Sequence, residues 1–286
     1  MRMLRVLTLM LLCLASTANA QVRRSLVIGI GEYKDPAWTR INADNDIGYI
    51  SEILDFYKFE DVTVLRNSQA TKQAITLELN NLTERCGKGD IVYVQFSGHG
   101  QQVQDMDGDE ADGFDESWVP YDAYNKCCAE DTGDKHLIDD EINTILSALR
   151  DKVGETGQIL VVVDACYSGD STRSAEQGQS DYIYRGANDA FVPTTRVSAD
   201  ADIVEDWVLL SACEDFQANC ELKSPRVGKL TYCLYKIRYD LASLSNDTLI
   251  DTLTEMMESR EMLGPLPQNP CLGGEYNKYA ISKTFR

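Results

Sequence analysis

Two apolar runs constrain this chain more than anything else in it: Ile91 to Phe96 (IVYVQF) and Ile159 to Val163 (ILVVV), both rich in β-branched residues and each followed by a glycine-bearing polar stretch. A strand with one wet face alternates apolar and polar residues, whereas a strand covered on both faces can be apolar throughout. These runs therefore read as strands of a parallel sheet between two helical layers. The first run leads into SGHG, Ser97 to Gly100, and the second into DACYSG, Asp164 to Gly169. His99 and Cys166 are thus expected at the carboxyl ends of two strands, the edge at which open α/β sheets place their chemistry.

Further strands are expected at 25–30, 62–65, 207–211 and 279–283, and helical periodicity is present at 44–57, 71–86, 139–151, 229–241 and 248–262. Alternation of strand and helix argues for right-handed βαβ connections. The fold class is α/β, a three-layer αβα sandwich around a mostly parallel sheet of about six strands. Two polar segments, 101–135 and 171–205, break the rhythm directly after His99 and Cys166. They are expected to be long loops at the active edge, serving binding or regulation.

The amino-terminal residues 1–20 have the pattern of a signal peptide: Arg2 and Arg5, an apolar run from Val6 to Leu14, and a small-x-small signal at Ala18-Asn19-Ala20. The expected mature unit is one domain, 21–286, exported to a periplasm or secreted. Nothing in the chain approaches the roughly 20 apolar residues of a membrane span. The formal net charge of −19 makes nucleic acid an improbable partner and favours cationic substrates or divalent metal ions. Eight cysteines follow residue 20. If Cys166 stays a thiol, an odd number is left, and no complete disulfide framework is implied.

A thiol becomes a good nucleophile as its thiolate, which an adjacent imidazole can generate. The chain has two histidines, and His99, flanked by Gly98 and Gly100, is the better candidate base; His136 precedes Leu137 and Ile138 without such a setting. The backbone amides of Gly100 and Cys166 are candidate donors to the oxyanion of an acyl-transfer intermediate. The run from Asp105 to Glu116 concentrates carboxylates as a hard cation such as Ca²⁺ requires, but Glu110 occupies the position at which an EF-hand loop turns on glycine. A second pair, Asp139-Asp140, opens the helix before the cysteine strand.

Taken together, LVIGIGEY, SGHG, DGDEADGFDE, LIDDEI, DACYSGD, LLSACEDFQANCE and GKLTY resemble the caspase-like cysteine peptidases, and among them the metacaspases. That resemblance implies a caspase-like fold and a His99/Cys166 dyad cleaving peptides through an acyl-enzyme. It implies an acidic pocket of Asp46 and Asp164, with Ser97 alongside, for Arg or Lys before the scissile bond. It also implies calcium ligands at Asp115, Asp139 and Asp140, with Asp170 a weaker match, and a monomeric protein acting on protein or peptide substrates. Ala43 stands where many metacaspases have a cysteine beside the pocket. Arg173, Arg185 and Arg196 make self-cleavage an expectation for the segment after the nucleophile. The reading from a different class is a secreted calcium-binding module that keeps the fold without turnover.

Overall fold

The computed structural model describes residues 21–106, 108, 110–167, 182–187, 189–195, 204–214, 217–262, 264 and 266–286. The expected leader 1–20, and Asp170, Arg173 and Arg196, lie outside the described residues.

A six-stranded sheet runs through the molecule. Its strands, from one edge, are β11 (Cys271–Gly274), β8 (Val208–Ser211), β7 (Gln158–Asp164), β3 (Ile91–Ser97), β1 (Arg23–Gly29) and β2 (Asp61–Arg66). All neighbours are parallel except β11, which pairs antiparallel with β8. Every residue of β3 and β7 is buried, including the polar Gln95, Ser97, Gln158 and Asp164, as strands covered on both faces must be. The edge strand β2 alternates half-buried and exposed positions.

Side chains of successive strand residues point to opposite faces, so each strand feeds two cores. Val27, Tyr93, Leu160 and Val162 join α1 (Ala43–Phe56), α4 (Lys229–Lys236) and α5 (Asn246–Met257) on one face. Leu26, Ile28, Val92, Val94, Val161 and Val163 join α2 (Lys72–Arg85) and α3 (Asp139–Val153) on the other. On α1 the buried positions Ala43, Asp46, Ile47, Ile50, Ile53 and Leu54 recur at helical spacing. One of them is a carboxylate.

Two expectations are corrected. The last strand is not 279–283; Ile281–Phe285 is a short 3₁₀ helix, and β11 takes the sheet edge instead. Tyr279, Ile281 and Phe285 are apolar because they pack into the core beside Tyr93 rather than because they form a strand. β11 itself is disguised by Gly273 and Gly274; a Cβ on Gly274 would lie 2.4 Å from the Trp207 carbonyl oxygen, so only glycine permits that approach. Nor is 101–135 simply a loop. β4 (Gly100–Gln104) and β5 (Phe114–Trp118) form an antiparallel hairpin, with β6 (Leu137–Ile138) as third strand of a small second sheet. Its glutamines and acids have weak strand preference, and the ladder is held by burial of Gln101, Val103, Ser117 and Trp118.

Candidate active site

The register of β3 on β7 pairs Ser97 with Asp164, so His99 and Cys166 each lie two residues past a matched pair of strand ends. The His99 ring is buried and stacked on Trp38, with centroids 4.9 Å apart, and its backbone N–H donates to the Tyr33 hydroxyl at 2.7 Å. Its Nε2 lies 2.8 Å from the Thr39 carbonyl oxygen. A carbonyl can only accept, so Nε2 carries the ring proton and Nδ1 keeps a lone pair. Nδ1 is buried with no hydrogen-bond partner among the described residues. Burial lowers the pKa of His99 to about 4, holding the ring neutral.

The cysteine is also buried, and its thiol donates to the Gln217 carbonyl oxygen at 3.1 Å. Across it runs the segment 182–187 of the chain itself. The Arg185 carbonyl oxygen accepts the N–H of Cys166 at 2.9 Å and the N–H of Gly100 at 3.2 Å. The Arg185 N–H donates to the Asn219 carbonyl at 2.9 Å, and the Glu221 N–H donates to the Ile183 carbonyl at 2.9 Å. Downstream, the Ala187 N–H donates to the Gly100 carbonyl at 3.2 Å. Gly186 packs on the nucleophile candidate, since a Cβ there would stand 3.4 Å from Cys166 Sγ. At Gly100 a Cβ would fall 2.5 Å from the Cys166 carbonyl oxygen, so the amide can reach this position only from a glycine.

The Arg185 side chain is fully buried among three carboxylates. Nη1 and Nη2 donate to the two oxygens of Asp46, at 2.6 and 3.0 Å. Nη1 also lies 3.2 Å from Asp164 Oδ1. Nε donates to Glu221 Oε1 at 3.1 Å. Burial acts to lower the pKa of Arg185, but Asp46, Asp164 and Glu221 outweigh it and raise the value, so the guanidinium stays charged. Burial raises Asp46, with Arg185 pulling the other way. The pocket is framed by the start of α4: the Gly228 N–H donates to Asp46, and the Thr231 N–H and hydroxyl reach Asp164. These amides belong to a helix amino terminus, where anions are welcome.

Ser97, expected alongside the pocket, pairs with Asp164 in the ladder and accepts from Gln95 Nε2 at 3.0 Å. The sequence reading missed Glu221, which lies in β9 (Glu221–Lys223) more than fifty residues after Cys166, and it missed that Arg185 fills the pocket. Glu221 closes the family-like run LLSACEDFQANCE, but nothing in its mixed polar and apolar neighbours marks it as a pocket residue. His136 is buried far from this arrangement in role: Nε2 bonds Gln101 and its ring packs 4.3 Å from Phe191. None of the eight cysteines after residue 20 is in a disulfide.

The second acidic group lies at the start of α3. Burial first, then the nearby carboxylates of Glu116, Asp115, Asp140 and Glu110, push the Asp139 carboxyl up to about 8. Its Oδ1 is buried without a hydrogen-bond partner among the described residues. These groups offer the oxygen donors that calcium prefers. Among the described residues, however, no three His, Cys, Asp or Glu side chains converge tightly enough to hold a metal ion as they stand.

The model of the metacaspase, peptidase C14 domain matches residues 23–173. The chain belongs to this family. It is similar to Metacaspase-1B of Aspergillus terreus, 31% identical over 157 residues, which are 51% of this chain and 38% of that relative. Metacaspase-1 of Pyricularia oryzae is 30% identical over 157 residues, 51% of this chain and 36% of its own. The chain thus spans well under half the length of these curated metacaspases. Among solved structures, a Geobacter sulfurreducens protein is similar in fold at a TM-score of 0.63, 22% identity, 88% of this chain and 92% of that one. Caspase-1 of Spodoptera frugiperda is similar at 0.59 and 13% identity, covering 89% of each chain. Both support the caspase-like sandwich. Among the described residues no helix is long and apolar enough to cross a membrane.

Proposed function

We propose that this metacaspase is a cysteine endopeptidase that cleaves after Arg or Lys, and that its own Arg185–Gly186 bond is its first substrate. One observation carries the reading: a basic side chain fills an acidic pocket while the carbonyl oxygen of the same residue accepts the amides of Gly100 and Cys166. This is the placement a scissile bond needs, with the donors aimed at the oxygen on which charge develops.

The Cys166 thiol turns from the Gln217 carbonyl to give its proton to His99 Nδ1, whose lone pair is unengaged among the described residues, and Sγ attacks the Arg185 carbonyl carbon. The oxyanion is held by the N–H groups of Gly100 and Cys166. Collapse breaks the carbon–nitrogen bond, and the Gly186 amine takes the proton from His99. Water then hydrolyses the thioester and restores the thiol. Until that cut, segment 182–187 excludes other substrates.

Intact-mass analysis tests this directly. The wild-type protein should divide into fragments meeting at Arg185 and Gly186, whereas Cys166→Ala should stay whole. An uncut wild-type chain, or cleavage that survives in Cys166→Ala, would refute the reading. Processed enzyme should then turn over Arg- and Lys-terminated fluorogenic peptides and spare the Asp equivalent.

A divalent cation such as Ca²⁺ is part of the proposal as a regulator. The carboxylate crowding at Asp139 supports it, and Asp115, Asp139 and Asp140 would have to draw together to hold the ion.

A further inference from the structure

We propose that Glu221 makes the pocket select arginine over lysine, an inference that rests on the Arg- or Lys-directed reading above and sharpens it.

The guanidinium of Arg185 is read along its whole edge. Asp46 takes the two terminal nitrogens as a fork, Asp164 approaches Nη1 with both its carbonyl and its carboxylate, and Glu221 takes Nε and Nη2 at 3.1 and 3.0 Å. Nε is the decisive atom. It is a donor set back along the side chain, and lysine carries a methylene in the corresponding region. An ammonium offers three donors from one point, so it can meet Asp46 and Asp164 at the pocket end but cannot also supply the lateral donor that Glu221 faces.

Glu221 is not free to follow a lysine inward. It is buried, and its two oxygens are tied to Asn42, Oε1 by the backbone N–H at 2.8 Å and Oε2 by the side-chain amide at 2.7 Å. Asn42 immediately precedes α1, the helix that carries Asp46, so the two carboxylates are positioned by one element. A lysine substrate therefore leaves Glu221 as a buried charge without its cationic partner. That is a strong penalty against the wrong substrate rather than a weak preference for the right one.

The test is kcat/KM on peptide pairs differing only in Arg or Lys before the scissile bond, for processed wild-type enzyme, Glu221→Gln and Glu221→Ala. The wild type should favour Arg by at least about tenfold, the size expected for a charged hydrogen bond. Gln keeps an acceptor and loses the charge, so its ratio should be intermediate; Ala should bring the ratio to within about threefold. A merely structural Glu221 would lower both rates and leave the ratio unchanged. In cis, Arg185→Lys should slow self-cleavage more with Glu221 present than with Glu221→Ala. A wild-type ratio near one overturns the inference and leaves the Arg- or Lys-directed reading standing, even if both variants fold poorly. Failure to cleave either peptide overturns that reading too.

Discussion

Among the described residues, two groups of carboxylates, one buried around Arg185 and one partly exposed around Asp139, have been settled in opposite ways. Around Arg185, the acids Asp46, Asp164 and Glu221 enclose a guanidinium that meets each of them. Around Asp139, the carboxylates of Glu116, Asp115, Asp140 and Glu110 add to the effect of burial, and the acid is driven toward its protonated form. Burial opposes charge in both places. The difference is what each cluster faces: the first has the shape of one cation's donors, while the second, among the described residues, has oxygen donors that do not converge on a point. A cluster built for a ligand is recognised by its fit to donors, not by its charge count.

The sharpest way to break this comparison is to spoil that fit without touching a charge. A Cβ on Gly228 would fall 2.2 Å from Asp164 Oδ2 and 2.6 Å from Arg185 Nη1. Gly228→Ala should slow cleavage at Arg185–Gly186 by at least ~100-fold in a gel time course, in keeping with the sensitivity of catalysis to misplacement by about 1 Å. A wild-type rate would mean that Arg185 is not held here for cleavage.

Stability should separate the clusters by sign. In uncleavable Cys166→Ala protein, Arg185→Ala strips three buried acids of their cation and should cost about 3 to 5 kcal/mol in denaturant unfolding. Asp139→Asn at pH 8 should cost nothing or stabilise, because it removes an ionisation that burial resists. If both substitutions destabilise equally, the contrast is wrong.

Calcium gives a smaller effect. For a site of about 10⁻³ M affinity, 10 mM Ca²⁺ should stabilise the protein by about 1.4 kcal/mol. The thermal midpoint should rise accordingly, and Asp139→Asn should abolish the rise while Gly228→Ala keeps it. A midpoint indifferent to calcium or chelator would remove the proposed regulator.

The histidines supply the check that is smallest per ring and per pH unit, with the charge reversed. Burial lowers His99 to about 4 and His136 to about 3, below the ordinary 6.5. The unfolded chain therefore takes up these protons first, so their contribution is full above pH 6.5 and is lost as pH falls toward 4 and 3. With Asp139→Asn removing the opposing titration, stability should drop between pH 6.5 and 5 by on the order of 1 kcal/mol per pH unit for each ring. Equal urea midpoints at pH 7 and 5 would place the rings in solvent.

Much of this arrangement is legible before folding. The apolar runs of β3 and β7 announce two covered strands, and the glycine-flanked His99 and the later Cys166 follow them at matched ends. Asp46, inside α1, is recoverable only through the family resemblance, and Asp164 also through its place at the end of β7, two residues before Cys166. The polar hairpin of β4 and β5 and the glycine-rich β11 are not, since their residues favour turns in isolation and become strands only where a neighbour supplies the ladder.

Local sequence thus determined the central strands, the main helices and which candidate groups stand at the ends of β3 and β7, because hydrophobic periodicity and strand length are properties of neighbouring residues. Only tertiary structure decided what those groups meet. Glu221 and Arg185 lie 36 positions apart and Arg185 and Asp46 139 apart. No short-range pattern links them; the packing of α1, α4 and the sheet edge brings their charges together in the buried interior.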